Sequence, residues 1–150
     1  MEPSDHPAAR EGAGEIHVVF DANALITACK FAVDQVVVID RLSHACGIHI
    51  PASVANEATR SARHPDAGVA DQRVKDGVIQ VESPRATAPA FLDAYRLGGG
   101  EVDAIRLYLD NAPAYEAVIT DDLRAYLVCS RMGLPVYILP DLVLNLLRRG

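Results

Sequence analysis

The chain has 150 residues, half of them hydrophobic, and a formal net charge of −6 at pH 7. A chain of this length can bury a single hydrophobic core, which predicts one domain. Its apolar runs are short and interrupted by charged residues, so we expect no membrane span. The three cysteines lie far apart without a Cys-x-x-Cys pair, which argues against a disulfide framework or a zinc site and predicts small buried residues.

Strand-like and helix-like segments alternate along the chain. Residues 1–15 combine Pro, Gly and acids without an apolar signal core, which predicts a disordered tail and a cytoplasmic protein. Over 16–150 the alternation predicts an α/β fold with three layers, α/β/α, around a mainly parallel sheet. The predicted strands are 16–20, 48–50, 78–81, 117–120 and 136–139. The predicted helices are 22–30, 34–45, 65–77, 89–97, 122–132 and 141–148. Two further helices are predicted, one capped by Ser53 and one that begins at Glu101 after three glycines.

The first predicted strand ends directly on a carboxylate, Asp21. Open parallel sheets bind ligands at the carboxyl ends of their strands, and a carboxylate that faces this crevice suits a hard metal ion. Asp21 is therefore a candidate metal ligand. The alternative is a structural role, with Asp21 as the N-cap of the next helix and Asn23 as a polar turn residue.

Acidic residues recur at three later points where the predicted topology returns the chain to the same edge of the sheet. They are Glu57, the pair Glu101 and Asp103, and the pair Asp121 and Asp122. Mg²⁺ and Mn²⁺ prefer oxygen ligands, so a group of carboxylates suits either ion. Such an ion activates water for attack on a phosphate, and the reaction then needs no protein nucleophile.

Helical geometry separates the two acids of the central helix. At about 100° per residue, Glu101 points close to Ile105 on the expected core stripe, whereas Asp103 points almost the opposite way. A charged side chain on the buried stripe is costly unless a metal ion or the helix dipole stabilises it. The pattern favours Glu101 as a ligand and leaves Asp103 as a second candidate, with exposure to solvent as its alternative.

Four stretches in this order, VVFDANALI, IPASVANEA, LGGGEVDAI and VITDDLRA, resemble the PIN-domain family. The likeness runs from about Ile16 to the C-terminus and is strongest for the small bacterial, VapC-like members of toxin–antitoxin pairs. The family consists mostly of metal-dependent ribonucleases, so the resemblance implies an endoribonuclease toxin that hydrolyses RNA with Mg²⁺ or Mn²⁺, an antitoxin partner and a homodimer. Together with the helical geometry, it favours Asp21, Glu57, Glu101 and Asp122 as the catalytic and metal-binding set, assisted at the metal by Asp103 and Asp121. The third acid of the family motif, which precedes Ala and an aliphatic residue in many members, could instead correspond to Asp103 in the sequence DAI.

Polar and basic residues accompany the predicted acidic centre. Asn23 and Thr120 are candidates for orienting the metal ligands, with the capping of local turns as the alternative. Arg60, Arg63 and Arg124 are candidates for RNA contacts, because the guanidinium group matches phosphate geometry. Their alternative is an ordinary place on solvated helix faces. Since the whole chain is acidic, RNA binding depends on where these arginines lie.

Three other functions share parts of this pattern. A haloacid-dehalogenase-like phosphatase needs a second carboxylate two residues after the first, where this chain has Asn23. A phosphoacceptor receiver domain expects paired acids after the first strand and a late lysine, but the acid pair comes late here and lysine occurs only at Lys30 and Lys75. A non-catalytic PIN-fold module that binds nucleic acid or protein stays open as the third alternative.

Overall fold

The computed structural model describes residues 15–60 and 64–149 and contains a central parallel sheet. The tail predicted over 1–15 lies outside the described residues except for Glu15, and so does Arg63. Neighbouring strands in the sheet all pair in parallel. The sheet consists of β1 (Ile16–Phe20), β4 (Cys46–Pro51), β5 (Ile79–Glu82), β6 (Ala117–Ile119) and β7 (Val136–Tyr137), in the order β5-β4-β1-β6-β7. A separate antiparallel hairpin consists of β2 (Ala32–Val33) and β3 (Val36–Val37).

Helices cover both faces of this sheet and confirm the predicted three-layer α/β/α architecture. Two short 3₁₀ helices, Ala90–Tyr95 and Ala112–Ala114, lie between β5 and β6. In the part of the chain that the structure describes, no helix combines the length and the apolar character needed to cross a bilayer. The α-helices are α1 (Ala22–Lys30), α2 (Val38–Ser43), α3 (Ala52–Thr59), α4 (Pro65–Lys75), α5 (Gly99–Asp110), α6 (Leu123–Arg131) and α7 (Leu139–Arg149).

The central strand β1 contributes to the hydrophobic core on both faces. Val18 and Phe20 pack with α1, α2, α3, α4 and α7, whereas Val19 packs with α5 and α6 on the other face. All three side chains are fully buried, which explains why the strand is a continuous apolar run. The three cysteines are buried too, as predicted, and burial raises the pKa of each thiol to about 12.

The helix predicted over 34–45 is wrong in its first turn. Asp34 and Gln35 have positive φ angles of 52° and 68° and form the two-residue turn of the β2–β3 hairpin. Two consecutive positive φ angles match the type I′ turn that suits the twist of a hairpin, and the valines around the turn favour strands. Helix α2 therefore begins only at Val38.

The starts of two further helices also differ from the prediction. Ser53 does not cap α3 but lies inside it, where its hydroxyl donates to Asp103 at 2.7 Å. Helix α5 begins at Gly99 rather than at Glu101, because the Glu101 carboxylate reaches back to the N-terminus of the helix. The segment predicted as a helix over 89–97 is a shorter 3₁₀ helix.

Candidate functional site

Three acidic side chains meet in one cavity at the carboxyl edge of the sheet, here called the acidic cavity. Asp21 follows β1, Glu57 lies on α3 directly after β4, and Glu101 lies in the first turn of α5. The cavity has a volume of about 220 Å³. Because β1 and β4 are parallel neighbours, segments far apart in sequence deliver their acids to the same place. The other lining residues are Ala22, Asn23, Gly98, Gly100 and Arg124.

Asp21 is almost completely buried, with 1% of its surface exposed. One carboxylate oxygen accepts a hydrogen bond from the backbone N–H of Ala24 at 3.1 Å, and the other accepts one from the Thr120 hydroxyl. Burial raises the pKa of Asp21 to about 7; the two hydrogen bonds oppose this rise, while the charges of Glu101 and Asp121 add to it. Asp21 therefore caps α1 and lines the acidic cavity at the same time.

Glu101 is held at the N-terminus of α5. Its Oε1 accepts a hydrogen bond from the backbone N–H of Gly98 at 2.7 Å. Burial raises the pKa of Glu101, and the neighbouring carboxyl group of Asp122 raises it further, whereas Gly98 and Arg124 oppose the rise. The raised pKa values of Asp21 and Glu101 show that this cavity holds negative charge poorly by itself.

Gly100 allows α5 to approach Glu57 closely. A Cβ atom at Gly100 would lie 3.2 Å from Oε1 of Glu57 and 3.2 Å from a methyl group of Val54, which is tighter than an ordinary contact. From the sequence, this glycine was predicted only to precede the helix that begins at Glu101. Its packing role was missed because the neighbouring side chains belong to α3, and no local pattern around Gly100 signals them.

Two of the other predicted acids cap or join segments outside the lining of the acidic cavity. Asp122 lies beside Glu101, but one of its oxygens accepts from the backbone N–H of Ala125 at 3.0 Å and caps α6. Asp121 accepts from the backbone N–H of Leu139 at 2.9 Å, which joins the end of β6 to the start of α7. Asp121 influences the charge of Asp21 and Asp122 that of Glu101, so both lie near the acidic cavity, and the role of either as a ligand stays a prediction.

Asp103 points away from the acidic cavity. It accepts a hydrogen bond from the Ser53 hydroxyl at 2.7 Å and forms an ion pair with Arg106 at 2.8 Å. These partners shield it, so the expected exposure to solvent holds only in part: 25% of its side chain is exposed. Glu101 lines the acidic cavity and Asp103 does not, and which of the two binds a metal ion stays a prediction.

Thr120 and Asn23, the predicted orienting residues, lie close to these acids. Thr120 is fully buried; its hydroxyl donates to Asp21 and accepts from the backbone N–H of Asp122 at 3.1 Å. One hydroxyl therefore connects the Asp21 carboxylate to the turn that carries Asp122. Asn23 lines the acidic cavity with an exposed side chain and stays a candidate for the same kind of role.

Two of the predicted RNA-contacting arginines border the acidic region. Arg124 lines the acidic cavity. Arg60 lines a neighbouring cavity that shares Glu57 with the acidic one. Positive side chains thus lie on two sides of the carboxylates, which is the placement that an acidic chain needs for local contact with phosphate.

The donor set of the acidic cavity suits a divalent cation that takes few protein ligands. Within residues 15–60 and 64–149, no three His, Cys, Asp or Glu side chains are arranged so that they could together hold a metal ion; that is, no site with three such ligands is present. Mg²⁺ does not require one, because it usually keeps several waters and binds one or two carboxylates. Asp21, Glu57 and Glu101 offer oxygen ligands only, and a cation would relieve the repulsion that helps to raise the pKa of Asp21. These residues therefore fit Mg²⁺ or Mn²⁺.

Comparison with known proteins agrees with this fold. A family model, DUF3368, described as a PIN domain, matches residues 17–150. A search of curated proteins finds no match. Among solved structures, the chain is similar to "a domain of a functionally unknown protein" from Methanocaldococcus jannaschii DSM 2661, with 18% identity, coverage of 82% of this chain and 90% of that chain, and a TM-score of 0.47. That likeness is too weak to support an argument, but the family match spans nearly the whole described fold. The chain therefore belongs to the PIN-domain family, whose members are generally nucleases.

Proposed function

We propose that this protein is a metal-dependent endoribonuclease that hydrolyses RNA phosphodiester bonds at the acidic cavity. The observation that carries the proposal is the meeting of Asp21, Glu57 and Glu101, which come from separate segments, in one cavity at the carboxyl edge of the sheet. Buried groups with strongly shifted pKa values are typical of functional sites. The choice of RNA over DNA rests on the resemblance to PIN-domain ribonucleases.

The acids of the cavity and two neighbouring residues have defined parts in this proposal. Asp21, Glu57 and Glu101 are the carboxylates available to the cation, which would bind one or two of them directly and the rest through water, and Asp122 is close enough to Glu101 to assist. The Thr120 hydroxyl keeps the Asp21 carboxylate in a fixed orientation. Mg²⁺ or Mn²⁺ supplies an activated water and neutralises charge on the attacked phosphate when it is bound.

The test replaces two acids without changing their shape. Asp21→Asn and Glu57→Gln should each abolish Mn²⁺-dependent cleavage of RNA while the circular-dichroism spectrum stays unchanged. Asp71→Asn is the matched control, because Asp71 is an exposed acid on α4 that pairs only with Lys75 among the described residues. All variants are purified in the same way, so that a contaminating nuclease would appear equally in each preparation.

Two results would overturn the proposal. Near wild-type cleavage by either cavity variant would remove that acid from the active site. A wild-type protein without any metal-dependent cleavage, purified free of an inhibitory partner, would favour the non-catalytic binding module.

We further propose that this nuclease is the toxin of a toxin–antitoxin pair, acts in the cytoplasm and forms a homodimer. The support is the resemblance of its four motif stretches to small bacterial PIN proteins. Helix α7 also exposes Leu144 and Leu147, which offer apolar surface for a contact between subunits. The molar mass of the purified protein in solution tests the dimer.

A further inference from the structure

A second cavity adjoins the acidic cavity, and Glu57 lines both. This flanking cavity has a volume of about 310 Å³ and is bordered by residues of α1, α3 and α4. Ligand pockets begin at about 300 Å³, so the space suits a small group rather than a folded domain. Because one side chain separates the two cavities, a ligand in the flanking cavity would lie directly beside the acidic one.

The floor of the flanking cavity is apolar. Ile26 on α1, Ala58 on α3 and Ala67 on α4 line it. Ala58 and Ala67 are almost fully buried, so among these three residues the half-buried Ile26 supplies the apolar surface that a ligand could cover. A planar, largely apolar ring that contacts this floor would bury surface on both sides of the contact, which favours binding.

The rim of the flanking cavity carries two cationic side chains and a histidine. Lys30 lies in the last turn of α1, Arg60 follows α3, and His64 precedes α4. Neither Lys30 nor Arg60 forms an ion pair with another residue of the described ranges. Several other basic side chains hold oxygen partners within the fold, namely Arg41, Arg73, Lys75, Arg106 and Arg149.

A carboxylate also borders this rim. Asp66, in the first turn of α4, lines the flanking cavity together with Glu57. An isolated phosphate would be repelled by these two acids. A nucleotide contains both a phosphate and groups such as sugar hydroxyls and base amines that donate to a carboxylate. The mixture of charges therefore suits a nucleotide better than a phosphate alone.

We propose that the flanking cavity binds the nucleotide next to the cleaved phosphate, with its base on the apolar floor and its phosphate held by Lys30 and Arg60. The inference rests on the proposed function, since it places this nucleotide by reference to the acidic cavity. The RNA strand then runs from Arg124, across the carboxylates, into the flanking cavity. This path gives Lys30 and Arg60 a role in holding substrate rather than in the chemical step.

The test measures binding separately from cleavage. In an Asp21→Asn background with Mg²⁺, the dissociation constant of a short fluorescein-labelled oligouridine is measured by anisotropy at several salt concentrations. Lys30→Ala and Arg60→Ala should each weaken binding about fivefold to tenfold and lower the slope of log K against log salt by about 0.7. Arg60→Lys, which keeps the charge, should recover most of the affinity.

Arg148→Ala is the matched control. Arg148 also forms no ion pair with residues in the described ranges, but it lies at the end of α7, where the adjacent Arg149 pairs with Glu116 at the opposite edge of the sheet. Its affinity should stay within about twofold of the parent. If Lys30→Ala and Arg60→Ala bind like Arg148→Ala, the proposal is wrong.

A positional readout locates the contact on the strand. Oligonucleotides with one neutral methylphosphonate linkage are compared position by position. In the parent protein, a neutral linkage at the phosphate that Arg60 contacts should weaken binding. In Arg60→Ala the same linkage should have no further effect, because the protein change and the linkage change remove the same interaction. A uniform effect at all positions would overturn the subsite.

The two proposals fail in different ways. A missing ribonuclease activity would appear as no cleavage by the wild type, while the difference in binding between Arg60→Ala and Arg148→Ala persists. A missing flanking subsite would appear as normal cleavage by the wild type with equal binding by those two variants.

Discussion

The acidic cavity and a second polar cluster combine ionisable side chains in opposite ways. The second, the histidine cluster, consists of His17, His49, Glu82 and Tyr115. Nδ1 of His17 and Nε2 of His49 share a hydrogen bond of 3.0 Å, Nδ1 of His49 bonds to the Glu82 carboxylate, and the Tyr115 hydroxyl donates to that carboxylate at 3.4 Å. Donors meet acceptors in this cluster, whereas the acidic cavity gathers three carboxyl groups with a single guanidinium group, that of Arg124. The difference favours a structural role for the histidine cluster and agrees with the cation binding that we propose for the acidic cavity.

Both clusters depend on a glycine that lets distant side chains approach. A Cβ atom at Gly47 would overlap the ring of His17, so the imidazole lies directly against the backbone of β4. A Cβ atom at Gly100 would lie 3.2 Å from Oε1 of Glu57, which is a tight contact but not an overlap. An alanine is therefore excluded more strictly at Gly47 than at Gly100, where a small shift of the Glu57 side chain can make room.

The largest expected effect separates the two acids of α5 by activity. Glu101→Gln should lower Mn²⁺-dependent cleavage by at least about 1,000-fold, because a metal at the reacting phosphate contributes several kcal/mol of transition-state stabilisation. Asp103→Asn should lower it by less than about tenfold, since Asp103 pairs with Ser53 and Arg106 outside the acidic cavity. The measurement is the initial rate of RNA cleavage by each variant, compared with that of the wild type. A more damaging Asp103→Asn would reverse the assignment.

The next effect concerns stability in the absence of metal. Burial raises the pKa of Asp21 from 3.8 to about 7, so the folded protein keeps this proton at pH values where the unfolded chain has lost it. In chelator, the wild type should therefore lose stability as the pH rises from about 4 to about 7, and the loss should be complete above that range. Asp21→Asn lacks this titration and should melt several degrees above the wild type at about pH 8, with no difference at about pH 4.

Added Mn²⁺ supplies the control for the Asp21 measurement. A metal that binds only the folded site stabilises it by about 2.7 kcal/mol at a hundredfold excess over its dissociation constant. The wild type should regain stability in thermal melts with Mn²⁺, and Asp21→Asn should respond less. A wild type indifferent to metal, or a variant clearly less stable than the wild type in chelator, would mean that Asp21 acts only as the cap of α1.

The smallest expected effect tests the histidine cluster. His49→Gln should lower the free energy of unfolding by about 1–3 kcal/mol, because it leaves His17 and Glu82 without their shared partner. RNA cleavage at a temperature where both proteins are folded should stay within about twofold of the wild type. Urea unfolding of Glu82→Gln and of the double variant with both changes completes a double-mutant cycle. The double variant should lose little more unfolding free energy than His49→Gln alone. Fully additive losses would show that these groups do not act as one cluster.

The local pattern of apolar residues was sufficient to predict the layers of the fold but not every element within them. Strand Ile16–Phe20 was predicted with its observed bounds because its continuous apolar run is the pattern of a strand covered on both faces. The hairpin at Asp34 and Gln35 was missed, because these residues lack the glycine that usually marks a two-residue turn with positive φ. The glycines before Glu101 were mistaken for a break because the capping contact that starts α5 is made by a side chain.

The sequence by itself determined that Asp21 stands at the carboxyl end of a buried strand, since strand direction and the end of an apolar run are local properties. Only the tertiary structure decided which later acids share its cavity. Glu101 lines that cavity, while Asp121 bonds to the start of α7 and Asp103 pairs with Arg106. The physical reason is that a carboxylate's environment depends on the partners that distant segments bring to it, and those partners leave no mark in the residues beside the acid.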